Sequence, residues 1–288
     1  MTKPIFTGVC TALVTPFLEN RLNTPMLRQL IRRQELAGVD ALLICGTTGE
    51  SAALTDTEKL ELFKTSREVI PEGVPFIAGT GSNNTSHAVA LSQAAQKLGA
   101  DALLVVSPYY NKATEDGLYR HYRRIAEAVS IPVILYNVPS RTGLDIPVSV
   151  YQKLAEIPNI VGVKEASADI RKIAWTRHQC PRDFSVWCGN DDLAVPALSL
   201  GASGLISVVS NVEPELTRAM TKAALDGDFD TASDLQCKLL PLIQALFREV
   251  NPVPVKEALK QIGLDCGSCR LPLGNASPET KEALASLL

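Results

Sequence analysis

Eight short runs rich in Val, Ile, Leu and Ala recur along the chain, at Gly8 to Val14, Ala41 to Cys45, Val74 to Ala78, Ala102 to Val106, Val133 to Tyr136, Ile160 to Lys164, Phe184 to Trp187 and Gly204 to Val208. Between them lie amphipathic patterns at the helical period, such as Thr24 to Ala37, Thr55 to Val69, Thr85 to Leu98 and Asp116 to Val129. Alternation of this kind predicts βα units and a parallel sheet, an α/β fold. Nearly continuous apolar strands imply burial on both faces, which suits a closed barrel and a doubly wound sheet equally. The count of eight, with no Gly-x-Gly-x-x-Gly after the first run, favours a (β/α)8 TIM barrel. From about Asp228 the strand-like runs stop, and helical patterns continue through Phe229 to Val250, Pro252 to Ile262 and Pro278 to Leu288. The expected organisation is a barrel over residues 1–226 and a C-terminal helical extension over 227–288.

Composition excludes several classes of partner. With 46% hydrophobic and 20% charged residues, the chain carries enough apolar surface for a large core and no signature of disorder. A net charge of −3, without a basic cluster interleaved with aromatics, lacks the footprint that a phosphate backbone demands, so no nucleic acid is expected. The apolar runs fall far short of the ~20 residues that cross a bilayer, so no membrane is expected either. The first residues lack the apolar stretch of a secretory signal, and a cytoplasmic location is the expectation. Seven cysteines, several inside apolar segments, argue against a disulfide framework. Cys266-Gly-Ser-Cys269 has the spacing of a metal or redox pair but no second pair and no nearby histidine.

In barrels the reacting groups stand at the C-terminal ends of strands, which directs attention to the polar residues just after each apolar run. Lys164 closes Ile160-Val161-Gly162-Val163, and at period two it shares a face with Ile160 and Gly162. If that small face points inward, the low dielectric disfavours an ammonium and frees a lone pair for attack on a carbonyl. The alternative is a lysine paired with a carboxylate such as Glu165. Tyr136 ends the fifth run, where a phenol near an amine would shuttle protons; the alternative is a core aromatic with a satisfied hydroxyl. Thr47 and Thr48, flanked by Gly46 and Gly49, offer hydroxyls and approachable N–H groups to a small carboxylate, or an ordinary glycine turn with a helix cap. Arg141 is either a bidentate partner for a substrate carboxylate or a solvated surface charge.

Gly46-Thr-Thr-Gly-Glu-Ser, Ser107-Pro-Tyr-Tyr, Tyr136-Asn-Val-Pro-Ser-Arg-Thr-Gly and Val163-Lys-Glu-Ala, followed by Gly189-Asn-Asp-Asp and Ile206-Ser-Val, resemble in order and spacing the dihydrodipicolinate synthase family. That family falls within the pyruvate-dependent aldolases that include N-acetylneuraminate lyase, and the similarity runs over essentially the whole chain. It implies an imine between Lys164 and pyruvate, with Tyr136, Thr47 and Tyr110 as a proton relay and Tyr110 donated across a dimer interface. Thr48 with its neighbouring backbone would hold the pyruvate carboxylate, and Gly189 and Ile206 would supply backbone contacts nearby. Arg141 would receive the carboxylate of L-aspartate 4-semialdehyde; sialic-acid lyases and sugar-acid aldolases share the lysine and tyrosine without this arginine. No metal or organic cofactor is implied, and a homo-oligomer is, either a tetramer arranged as a dimer of dimers or a dimer.

One departure from the family concerns feedback by lysine. Contacts to that ligand match Ser51, Ala52, Leu54, Asn83 and Tyr109, which are kept, while the His or acidic groups at positions matching Asp56, Lys59 and His87 are changed. Lys59 replaces a family histidine and His87 a glutamate, so a cationic ligand meets added positive charge and loses a counter-ion. Weak or absent lysine inhibition is expected. Two other functions compete with a synthase: an aldolase using another aldehyde, against which Arg141 argues, and a keto-acid or lysine sensor without turnover, which would have no need of a complete relay.

Overall fold

The computed structural model describes residues 4–288. Its central element is a closed barrel of eight parallel strands: β1 Gly8–Ala12, β2 Ala41–Ile44, β3 Phe76–Gly79, β4 Ala102–Val106, β5 Val133–Asn137, β6 Ile160–Glu165, β7 Ser185–Cys188 and β8 Gly204–Ser207. Each pairs with its neighbour in sequence, and β1 closes the ring: Cys10 stands opposite Ile206 on β8 and Ala41 on β2. The connecting helices include Thr24–Leu36, Asp56–Val69, Thr85–Lys97 and Glu115–Ala126. Their starts are written in the sequence: Asn23, Asn84 and Thr114 cap the first turn, and Thr55 with Glu58 forms a reciprocal capping box.

The strands are apolar throughout because each is covered on both faces. One cluster, with Cys10, Leu43, Ile77, Leu104, Ile134, Tyr136, Trp187 and Ile206, fills the barrel interior. A larger one, with Leu42, Phe76, Leu103, Leu135 and Val163, packs between strands and helices. Phe6 stacks on Trp187 at 5.2 Å between ring centroids and its carbonyl accepts the indole N–H at 3.2 Å, plugging the end of the barrel where the strands begin.

Strict alternation along β6 fails at one position. The register between β5 and β6 slips between Val133 and Ile134, where Ile160 pairs with Val133 and Gly162 with Ile134. This bulge turns Ile160 outward to join Val163, while Val161 packs toward the interior cluster. Ile160 therefore does not share a face with Lys164, because an extra residue in one strand resets the period. Gly162 keeps its inward place: a Cβ there would come within 2.8 Å of the Trp187 ring.

Beyond the last barrel helix, Pro214–Leu225, come helices Phe229–Leu246, Val253–Gln261 and Pro278–Ala285. The first packs on Pro214–Leu225, and its Gln236 amide donates to the Asp191 carbonyl at 3.0 Å. The stretch between Gln261 and Pro278 has no helix or strand and returns to the barrel mouth. There the Arg270 guanidinium is held by Glu58 and by the carbonyls of Asn20 and Ala53. Among the described residues no helix is long and apolar enough to cross a membrane.

Candidate active site

Adjacent parallel strands place Tyr136 of β5 directly beside Lys164 of β6, both at the C-terminal ends and both pointing inward. The Lys164 ammonium nitrogen lies 4.5 Å from the centre of the Tyr136 ring, and Lys164 is only 5% exposed. Glu165, the carboxylate that would have made Lys164 an ordinary ion-paired residue, points the other way. It accepts hydrogen bonds from the Asn137 amide and Ser167 N–H, each at 2.9 Å, and from the Tyr151 hydroxyl at 2.9 Å. Burial and the neighbouring Glu165 charge push the Tyr151 phenol well above its ordinary range, so it remains a donor.

The end of β7 makes room for this amine. Gly189 has its N–H bonded to the Glu165 carbonyl at 2.8 Å, and a Cβ on it would meet Lys164 Cε at 2.9 Å. Asp191, two residues on, is buried, and its Oδ2 accepts the N–H groups of Val208 and Val209 at 2.9 and 3.0 Å. It thereby pins the turn after β7 to the turn after β8, which carries Ile206. Burial raises its carboxyl above the usual range, against the backbone donors that lower it. Ile206 itself is fully buried in the interior cluster with Tyr136.

A cleft of about 860 Å³ opens at the ends of β2 to β5, lined by Thr47, Tyr109, Tyr136 and Arg141 among others, while Lys164, Gly189 and Ile206 lie outside its lining. Tyr136 belongs both to this wall and to the barrel interior, connecting the cleft to the buried amine. Thr48 is buried behind the wall, its hydroxyl oxygen accepting the Asn251 amide at 3.0 Å. The exposed Arg141 reaches across to donate to the Asn251 carbonyl at 3.1 Å. Asn251 thus orients two of the expected binding residues and lines the cleft, and sequence reasoning missed it. Its only signal is the Asn-Pro pair ahead of a helix, which reads as a turn. Tyr110 does not enter this cleft: it is 90% exposed, with φ of +72°, while its neighbour Tyr109 lines the wall.

Other nucleophiles near the amine are disabled by their surroundings. Burial raises the thiols of Cys10 and Cys188, that of Cys188 to about 12, although Lys164 opposes the shift in both. Cys266 and Cys269 are likewise pushed up to about 12 by burial, which keeps both as protonated thiols rather than a reactive pair.

The arm of the cleft lined by Ser51, Ala52, Leu54, Asp56, Lys59, His87 and Tyr109 brings together most of the residues matched to lysine feedback; Asn83 stands outside the lining, its carbonyl accepting the Asn111 amide at 3.2 Å. His87 Nε2 lies 2.9 Å from both Asp56 carboxylate oxygens, and Lys59 Nζ lies 3.8 Å from the same group. The acidic charge of this arm is already engaged by two basic side chains.

An amine buried at the end of the sixth strand of a (β/α)8 barrel, against a tyrosine that also walls an open cleft, is the arrangement that a Schiff-base-forming lyase requires. The chain matches the Dihydrodipicolinate synthetase family over residues 5–288 and belongs to it. Among curated relatives, the 4-hydroxy-tetrahydrodipicolinate synthase of Acetivibrio thermocellus is 48% identical over 288 residues, covering 100% of this chain and 98% of its own. Two crystal structures are close in shape. The chloride-inhibited dihydrodipicolinate synthase of Acinetobacter baumannii complexed with pyruvate is 40% identical with a TM-score of 0.95, covering 98% of this chain and 97% of its own. The enzyme of Cyanidioschyzon merolae with lysine bound is 38% identical with a TM-score of 0.96, covering 99% and 98% respectively.

Proposed function

We propose that this chain condenses pyruvate with L-aspartate 4-semialdehyde to give 4-hydroxy-tetrahydrodipicolinate, the reaction by which its curated relatives are named. The observation that carries the reading is the Lys164 amine, held against Tyr136 with Glu165 turned away to other partners. Lys164 adds to the keto carbon of pyruvate and water leaves, giving a protonated imine. That cation withdraws electrons from the methyl carbon, which loses a proton and becomes the nucleophilic end of an enamine. The enamine attacks the aldehyde, and the substrate's own amino group then displaces Lys164 from the imine carbon, closing the ring and freeing the lysine. Side chains suffice for these steps.

Tyr136 carries protons to and from the amine, with Thr47, also on the cleft wall, as the next member of the relay and Tyr110 as the outer one. Tyr110 stands 90% exposed outside its own chain's cleft, and in this reading it enters the site of a second copy within a homo-oligomer of at least two chains. An active monomer in light scattering would remove Tyr110 from the relay. Thr48 and its backbone hold the pyruvate carboxylate, with contacts from Gly189 and Ile206. Arg141 takes the carboxylate of the semialdehyde.

Steady-state consumption of pyruvate, followed by chromatography so that the readout does not depend on which product forms, tests the acceptor assignment. Because hydrogen bonds to a charged group are worth about 1.5–3 kcal/mol, L-aspartate 4-semialdehyde should exceed an aldehyde without a carboxylate by about ten- to a hundredfold in kcat/KM. Equal use of both would hand the acceptor to a different aldehyde.

We also propose that lysine regulates this chain weakly or not at all. A lysine ammonium entering the arm near Asp56 finds that carboxylate occupied by His87 and Lys59. In a dose–response, turnover should persist at millimolar lysine; loss of activity there would contradict the charge argument.

A further inference from the structure

The pairing that the proposed chemistry leaves unused is the most deeply buried ion pair among the described residues. Glu50 ends the Gly46-Thr-Thr-Gly-Glu turn, and Lys256 belongs to helix Val253–Gln261 of the C-terminal extension. Lys256 Nζ lies 2.6 Å from Glu50 Oε1, with the two side chains 3% and 0% exposed. It is a charge contact whose angles are not those of a hydrogen bond. The other carboxylate oxygen accepts the Arg270 backbone N–H at 2.8 Å. Lys256 is enclosed further by the Phe17 ring, 4.3 Å from its ammonium, and by the Ser268 carbonyl at 3.4 Å.

A buried pair of this kind costs solvation on both sides and is weak evidence of added stability, so its place in the fold matters more than its strength. Glu50 holds φ at +53°, a left-handed conformation that non-glycine residues rarely adopt. The turn it ends is fixed on the barrel side by the Thr15 hydroxyl, which donates to the Gly49 carbonyl at 2.7 Å. On the other side the extension holds it, through Glu50 to Lys256 and Arg270, and through Thr48 to Asn251. Asn251 and Lys256 lie five residues apart on either side of the start of one helix, so both contacts move with that helix.

We infer that the Glu50–Lys256 pair is a positioning device that sets the Thr47-Thr48 turn for the carboxylate of the keto acid. This rests on the proposed reading that the turn binds that carboxylate. The pair touches no substrate and acts through the backbone between Glu50 and Thr48. Displacement of the turn weakens binding of the keto acid more than it slows chemistry at Lys164, which hangs from a different strand.

The test is steady-state kinetics on the intact oligomer with Glu50→Gln, which keeps the shape and an acceptor for Arg270 but removes the charge that holds Lys256. The KM for pyruvate should rise at least about tenfold, with kcat and the KM for the aldehyde within about threefold. Lys256→Arg, which keeps a cation at this place, should stay within about threefold in all constants. Should Glu50→Gln not fold, the double variant Glu50→Gln/Lys256→Met leaves no orphan charge and should show the same rise. A folded variant with an unchanged pyruvate KM, or with all three constants changed together, overturns the inference. Thr48→Val separates this from the underlying reading: if it leaves the pyruvate KM alone, the carboxylate site is elsewhere and the inference falls with it. If Thr48→Val raises that KM and Glu50→Gln does not, only the positioning role fails.

Discussion

Replacing Lys164 with alanine is expected to reduce turnover by at least about 10³-fold while leaving the protein folded, because the covalent route is lost altogether. The structure makes this a clean substitution. Lys164 projects from β6 into the interior near Gly189, and Glu165, the nearest carboxylate in sequence, depends on Asn137, Ser167 and Tyr151 rather than on it. Removing the amine therefore breaks no ion pair, although it withdraws one of the charges that hold down the buried Asp191 carboxyl. Lys164→Arg is the informative companion: it keeps a cation without a usable nucleophile, so it should be as inactive as alanine if the amine attacks a carbonyl. Recovery of most activity with arginine would mean that Lys164 acts only as a positive charge. Circular dichroism and the elution volume of each variant distinguish a dead site from a misfolded chain.

Tyr136→Phe is expected to lower kcat by about 10²–10³-fold, within the range that a positioned acid–base group contributes. The ring remains, so the packing of the interior cluster and the face toward the Lys164 ammonium are retained, and only the hydroxyl is lost. A residue that merely packed would change the melting temperature more than the rate. The reverse is expected here, a rate of imine formation that falls with kcat when pyruvate is trapped by reduction over time. A folded Tyr136→Phe within about threefold of the parent would assign the proton transfers to another group.

The strand ends of the barrel are legible in the sequence because burial on both faces writes a strand as an uninterrupted apolar run, and a polar residue at the end of that run is then conspicuous. The apolar run Ala102 to Val106 coincides with β4, and helices such as Thr24–Leu36 can be read to within a residue from their caps and periodicity. Lys164 and Tyr136 stand out in the same way, as polar residues closing apolar strands. The bulge at the start of β6 is not legible: a slip of one residue leaves the composition unchanged and alters only which side chains face inward. Asn251 and Lys256 escape sequence reading for a different reason. They come from the helical extension, more than a hundred positions from the residues they hold, and long-range pairing leaves no local pattern. Tyr110 shows a further limit: its own chain leaves it 90% exposed and outside the cleft, so the neighbours in sequence and in the fold assign its ring no role.

Every step of the proposed reaction depends on one particular amine forming the imine. Reducing the protein with borohydride in the presence of pyruvate, digesting it and locating the adduct by mass spectrometry tests this without any assumption about the aldehyde. A single pyruvate-derived adduct is expected on the peptide carrying Lys164, and none in Lys164→Ala. An adduct on Lys59, Lys172 or Lys256, the other buried lysines among the described residues, would contradict the assignment, as would active protein that yields no adduct at all.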